Sequence, residues 1–167
     1  PLKEGDADYA ALMMANHLLG SGGNSRLWNR IREKEGLSYD VRSFIGWDAH
    51  GTNSWWNASA IYAPSNRGKV EAAFKEEVER ALKDGFTEKE LAEGKQGLLN
   101  FRTLSRAQDR NLAAGWARNL DLGRSFAFSA QVDAQLKALT LAQVNAALRK
   151  YVDPARFVIG VAGDFKD

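Results

Sequence analysis

The feature that most constrains this chain is a pair of strand-like stretches set inside a sequence otherwise patterned as helix. From Ser38 to Trp47 and from Thr52 to Tyr62, β-branched and aromatic residues mix with small polar ones. Asp48-Ala49-His50-Gly51 between them has turn composition, which predicts an antiparallel hairpin. Alternation along the first strand puts Tyr39, Val41, Ser43 and Ile45 on one face and Asp40, Arg42 and Phe44 on the other. The same rule sends Trp55 and Trp56 to opposite faces, so at least one of them is core or interface.

Helical patterns surround the hairpin. The first is expected over residues 7–19, with Asp6 as N-cap, Leu12, Met13, Asn16 and Leu19 on one face, and Gly20 as the stop. After the turn Ser21-Gly22-Gly23-Asn24, Asn24 or Ser25 caps a second helix through Leu27, Trp28 and Ile31, which Gly36 ends in the left-handed region. Downstream, Val70, Phe74, Val78 and Ala81 or Leu82 form an apolar stripe that stops at Asp84-Gly85. Thr87-Glu88-Lys89-Glu90 is a capping box opening a long pattern through Leu91, Leu98, Phe101, Leu112 and Trp116, with a bend expected near residues 103–105. A further helix covers about residues 128–139. Thr140-Leu141-Ala142-Gln143 is a second capping box, leading to Val144, Ala147, Leu148 and Tyr151. Asp153-Pro154 breaks that helix, and residues 156–162 read as a final buried strand.

Strands and helices do not alternate, which argues against a doubly wound parallel sheet. The order predicts an α+β fold, an antiparallel sheet with helices packed on one face. No repeat or linker interrupts residues 1–167, so one domain is expected. Three strands are few for so much helix, and further strands preceding Pro1 are the expected explanation, making the chain part of a larger protein.

Composition narrows the function. Lys plus Arg number 23 against 21 Asp plus Glu, and runs such as Arg30-Ile31-Arg32-Glu33-Lys34-Glu35 mix the signs. Nucleic-acid binders gather basic residues on one face, so nucleic acid is not the expected partner. No apolar run approaches the ~20 residues of a membrane span, and Pro1 to Asp6 lacks the pattern of a secretory signal. Cysteine is absent, which removes disulfides, thiolate metal sites and a cysteine nucleophile, and leaves the compartment open.

A hydrolytic zinc takes three protein ligands and one water. The two histidines, His17 and His50, belong to no H-x-x-E-H pattern or its reverse, so no metal site is expected in this chain. His17 reads as a helix-surface or hydrogen-bonded residue and His50 as a turn residue. Ser-x-x-Lys and G-x-S-x-G are likewise missing. Gly20-Ser21-Gly22-Gly23-Asn24-Ser25 lacks the lysine and preceding strand of a phosphate loop, and reads as a tight turn between helices.

Residues 24–41 differ in kind. They read Asn-Ser-Arg-Leu-Trp-Asn-Arg-Ile-Arg-Glu-Lys-Glu-Gly-Leu-Ser-Tyr-Asp-Val. This closely resembles the signature of the C-terminal domain of pitrilysin/insulinase-type zinc peptidases, where a helix reading S-R-L-x-x-x-[IL]-R-E-[KR]-x-G-L-[SA]-Y-x-V runs into a strand. Asp8-Tyr9-Ala10-Ala11-Leu12 resembles that family's opening helix, Phe86-Thr87-Glu88-Lys89-Glu90-Leu91 a later helix start, and Lys150-Tyr151-Val152-Asp153-Pro154-Ala155-Arg156 its C-terminus.

The resemblance implies one half of a mitochondrial-processing-peptidase-like metallohydrolase. Two homologous α+β halves close around a peptide substrate; one binds zinc, and this one lacks it. It implies that the zinc lies in a homologous partner domain or subunit, and that Arg32 and Tyr39 contribute to the shared cleft. It also favours a bacterial periplasm or cytoplasm. Chemistry agrees with the two residues, since charge built on a carbonyl oxygen is stabilised by fixed donors, and arginine and tyrosine are donors. The same donors suit a substrate backbone added to a sheet edge. On spacing alone Arg32 is a solvated helix residue and Tyr39 a sheet-edge aromatic; the family block favours the functional role. The alternative within the family is a proteolytically inactive core or assembly subunit. A stand-alone binding module is the weakest expectation.

Overall fold

A computed structural model describes residues 2–164. Helices α1 (Tyr9–Asn16), α2 (Arg67–Asp84), α3 (Glu88–Arg106), α4 (Asp109–Asp121), α5 (Ala127–Ala138) and α6 (Leu141–Tyr151) accompany one antiparallel hairpin of β1 (Ser38–Gly46) and β2 (Trp55–Tyr62). Two π-helical segments, His17–Ser21 and Trp28–Lys34, lie between α1 and β1. Val41 and Ser43 of β1 are buried, and Trp56, Ala60 and Tyr62 of β2 pack against the core. Phe44, Trp55 and Ile61 are exposed on the opposite face. The architecture is therefore the predicted α+β layer, with helices on one side of the sheet. Trp55 and Trp56 separate as alternation requires.

Helix α1 is central and packs against α3, α5, α6 and β1. Its three alanines and Met14 are all buried, since small side chains let several neighbours approach one helix at once. Asp6 does not cap it; the Asp6 carboxylate accepts the Lys3 amide at 2.9 Å. Nor does Gly20 end it. The helix widens into a π-turn through Ser21, closed where the Gly22 amide donates to the His17 carbonyl at 2.9 Å. Gly20 serves packing instead, because a Cβ there would run into Ser43 Oγ.

One buried polar group joins α1 to both strands. Asn16 Oδ1 accepts the Ser43 hydroxyl at 2.7 Å and the Trp56 indole N–H at 2.8 Å. The hairpin loop is organised by Asp48, whose carboxylate accepts the amides of His50, Gly51 and Asn53. That arrangement is an Asx-type turn, as the loop composition anticipated.

Both capping boxes form. Thr87 Oγ1 accepts the Glu90 amide while Glu90 Oε2 accepts the Thr87 amide, and Thr140 and Gln143 do the same at α6. Helix α2 stops at Gly85, whose φ of 76° is left-handed. The long pattern after Thr87 is broken at residues 107–108, slightly beyond the predicted bend, and restarts as α4. Phe101, Leu112 and Trp116 of that pattern are exposed. The stripe forms on the helices as the periodicity predicts, but it stays largely open, with Phe126 meeting Trp116 edge-on at 5.6 Å.

The predicted last strand does not form. Pro154–Arg156 is a single 3-10 turn, with the Asp153 carboxylate accepting the Ala155 amide. Residues 157–162 follow without strand pairing, Val158 being 97% exposed and Ile159 70%. Only Phe157 is anchored, stacking on Trp56 at 5.4 Å. Apolar β-branched composition reports strand propensity, whereas a strand needs a neighbour for its amides. The sheet of the described residues has two strands rather than three.

Candidate functional site

The family-like block folds as a rigid bracket. Arg26 at its start donates to Glu90 at 2.6 and 2.9 Å and to the Gly85 carbonyl at 2.7 Å, with its guanidinium 4.8 Å from the Phe86 ring centroid. Leu27 and Ile31 are fully buried. Burying each contributes roughly 1.5–3 kcal/mol, so the segment's inner face is firmly seated.

At the far end the Gly36 amide donates to the Arg32 carbonyl at 3.0 Å and the Leu37 amide to the Ile31 carbonyl at 2.9 Å. Gly36 has φ of 60°, as predicted, and this left-handed residue turns the chain into β1. Asn66 Nδ2 then holds the Leu37 carbonyl at 3.1 Å.

Tyr39 departs from its predicted face. A bulge between Ser38 and Asp40 breaks the strand register: Ser38 pairs with Tyr62, Asp40 with Ile61, and Tyr39 opposes no residue. Ser38 Oγ stabilises the bulge by donating to the carbonyls of Asp40 and Ile61 at 2.7 and 2.8 Å. The extra residue shifts the alternation, so Val41 and Ser43 point inward while Tyr39 is 80% exposed.

This shift brings the two candidate residues together. The Arg32 guanidinium carbon lies 4.3 Å from the Trp28 ring centroid and 5.6 Å from that of Tyr39. Its one ionic neighbour among the described residues is Glu33, at 3.7 Å, too far for a hydrogen bond. Both rings lie within cation–π reach of Arg32, and no hydrogen bond to another described residue occupies its N–H groups. Trp28 was not singled out from the sequence; the Trp28-x-x-x-Arg32 spacing, which stacks side chains one helical turn apart, was the available signal.

The histidines lie elsewhere. His17 sits half-buried in the first π-turn, where burial lowers its pKa. His50 is in the exposed hairpin loop, 3.9 Å from Asp121. Among the described residues no group of three or more His, Cys, Asp or Glu is placed to hold a metal ion. The Gly20–Ser25 turn is occupied by the chain's own bonds, including the Ser25 amide to the Gly22 carbonyl at 3.1 Å.

A family model described as the peptidase M16 inactive domain matches residues 1–98, more than half the chain and all of this bracket. The chain belongs to that family. Membership accords with the pitrilysin-type signature and implies that this domain has no zinc site of its own. A crystal structure of a peptidase M16 inactive domain from Pseudomonas fluorescens superposes with a TM-score of 0.75 at 26% identity, covering 91% of this chain and 35% of that one. The periplasmic protease PqqL from Escherichia coli has the same fold, with a TM-score of 0.64 at 24% identity over 87% of this chain and 16% of its own. A Helicobacter pylori protein described as the non-peptidase homolog YmxG is 25% identical over 154 residues, 91% of this chain. This M16 inactive domain spans 35% of the length of that curated relative.

Proposed function

We propose that this chain is the substrate-gripping, zinc-lacking domain of an M16 metallopeptidase, in which Arg32 and Tyr39 donate hydrogen bonds to a bound peptide. The domain is one unit of a larger protein, and a homologous zinc-bearing domain or subunit supplies the metal and its activated water. The observation that carries the reading is the half-exposed Arg32 beside the exposed Tyr39, 5.6 Å from guanidinium to ring, a pair whose donors have no hydrogen-bond partner among the described residues. Donors held in place before the substrate arrives stabilise charge on a carbonyl oxygen without reorganising. The outward-turned bulge supports the same role, because bulges re-aim a side chain away from the sheet core.

A second reading, a proteolytically silent assembly subunit, is favoured by the likeness to the H. pylori non-peptidase homolog. Retention of both donors speaks for the first, since a scaffold has no need of them. The test is cleavage of unstructured peptides by the full-length protein, with and without a chelator. Chelator-sensitive cleavage is expected, with Arg32→Ala and Tyr39→Phe each lowering kcat/KM by roughly 10²-fold. Wild-type turnover in both folded variants would remove the assigned role, and no cleavage by the full-length protein, alone or combined with a zinc-bearing homologous subunit, would favour the assembly subunit.

A further inference from the structure

We infer that Trp28 is a positioning residue that holds the Arg32 guanidinium ready for peptide binding, an inference that rests on the role given to Arg32 above. Arginine loses considerable rotamer freedom when fixed, so a guanidinium that waits for substrate needs a wall. Glu33 provides none, at 3.7 Å without a hydrogen bond. Tyr39 is the weaker wall, since the bulge sets where it leaves the sheet while its ring is 80% exposed. Trp28 is different: it is half-buried and packed against the core, on the same rigid segment as Arg32. Its ring is also the nearer of the two, at 4.3 Å against 5.6 Å. Trp28 and Arg32 both lie in the π-helical segment Trp28–Lys34, and such segments recur at functional sites. The indole face therefore holds the cation while the in-plane donors stay open to a carbonyl oxygen.

The test is peptide turnover by the full-length protein carrying Trp28→Leu, Trp28→Phe, Arg32→Ala, and Trp28→Leu with Arg32→Ala. Leucine keeps an apolar side chain without a π face, and phenylalanine restores the face. Trp28→Leu is expected to lower kcat/KM by about 3- to 30-fold, with Trp28→Phe closer to wild type. On the Arg32→Ala background Trp28→Leu should add nothing, because it acts only through the guanidinium. An equal loss on both backgrounds, or none on the wild-type background, overturns the inference while leaving Arg32 its role. If Arg32→Ala itself keeps full turnover, or the full-length protein cleaves nothing either alone or combined with a zinc-bearing homologous subunit, the function proposed above falls and this inference with it. A second measurement does not depend on the leucine variant folding. The Arg32 Nε–H resonance of the wild-type protein should carry an upfield ring-current shift that survives Tyr39→Ala, and its absence sinks the stack.

Discussion

At the scale of single residues, the site was legible where a residue type has one use and hidden where it has several. Gly36 was readable because only a left-handed turn explains a glycine between a helical and a strand pattern, and its φ of 60° agrees. Gly36→Ala is accordingly expected to cost about 1–2 kcal/mol in urea unfolding, the penalty of placing a Cβ in that region. Asn16 was read as one member of a helix face, and its task was invisible. Its partners, Ser43 and Trp56, are distant in sequence and meet it only after folding. Asn16→Leu leaves a buried hydroxyl and an indole N–H without an acceptor. A loss of about 2–4 kcal/mol in urea unfolding is expected, from roughly 1–3 kcal/mol per orphaned group. A loss near zero would mean that water or a shifted backbone replaces the amide.

At the scale of elements, local signals survived and long-range ones did not. The Thr87 and Thr140 boxes are encoded within four residues and form as written. Thr87→Ala should therefore cost about 1 kcal/mol, measurable by thermal or urea unfolding. The bulge in β1 has no such local code, which is why strict alternation put Tyr39 on the wrong face. Its determinant is the Ser38 hydroxyl, shared between the carbonyls of Asp40 and Ile61. Ser38→Ala is predicted to lower stability by about 1 kcal/mol. It should also lower peptide turnover if Tyr39 serves the substrate, because the ring then loses its fixed exit from the sheet. A variant with unchanged turnover would mean the bulge persists on backbone pairing alone. Residues 157–162 show the same limit, since apolar composition marked a strand while pairing depends on a neighbour.

At the scale of the molecule, distant segments are tied by arginine–carboxylate contacts, and these make stability depend on acidity in a definite direction. Glu4 accepts from Arg118 at 2.5 Å and Arg124 at 2.6 Å, joining the N-terminal segment to α4 and to the loop after it. Burial of Glu4 works to raise its pKa, but the hydrogen bonds and charges of Arg118 and Arg124 outweigh it and hold the pKa below its usual 4.5. Glu90 follows the same pattern, burial opposed by Arg26 and by the Thr87 cap, with a net lowering. A carboxylate whose folded pKa is depressed stabilises the fold at every pH above its unfolded value, and that stability disappears as pH falls through the folded value. The melting temperature should thus stay level from neutral pH to about 5 and decline below about 4.5. Glu4→Gln is expected to lower stability by about 1–2 kcal/mol at pH 7 and to flatten the acid decline. Glu90→Gln separates two roles of one residue: the amide oxygen can still accept the Thr87 amide, while the charge facing Arg26 is gone. A decline as steep in both variants as in the wild type would assign the acid sensitivity to other carboxylates, with Asp8, held low by Lys150 and Tyr151, the next to test.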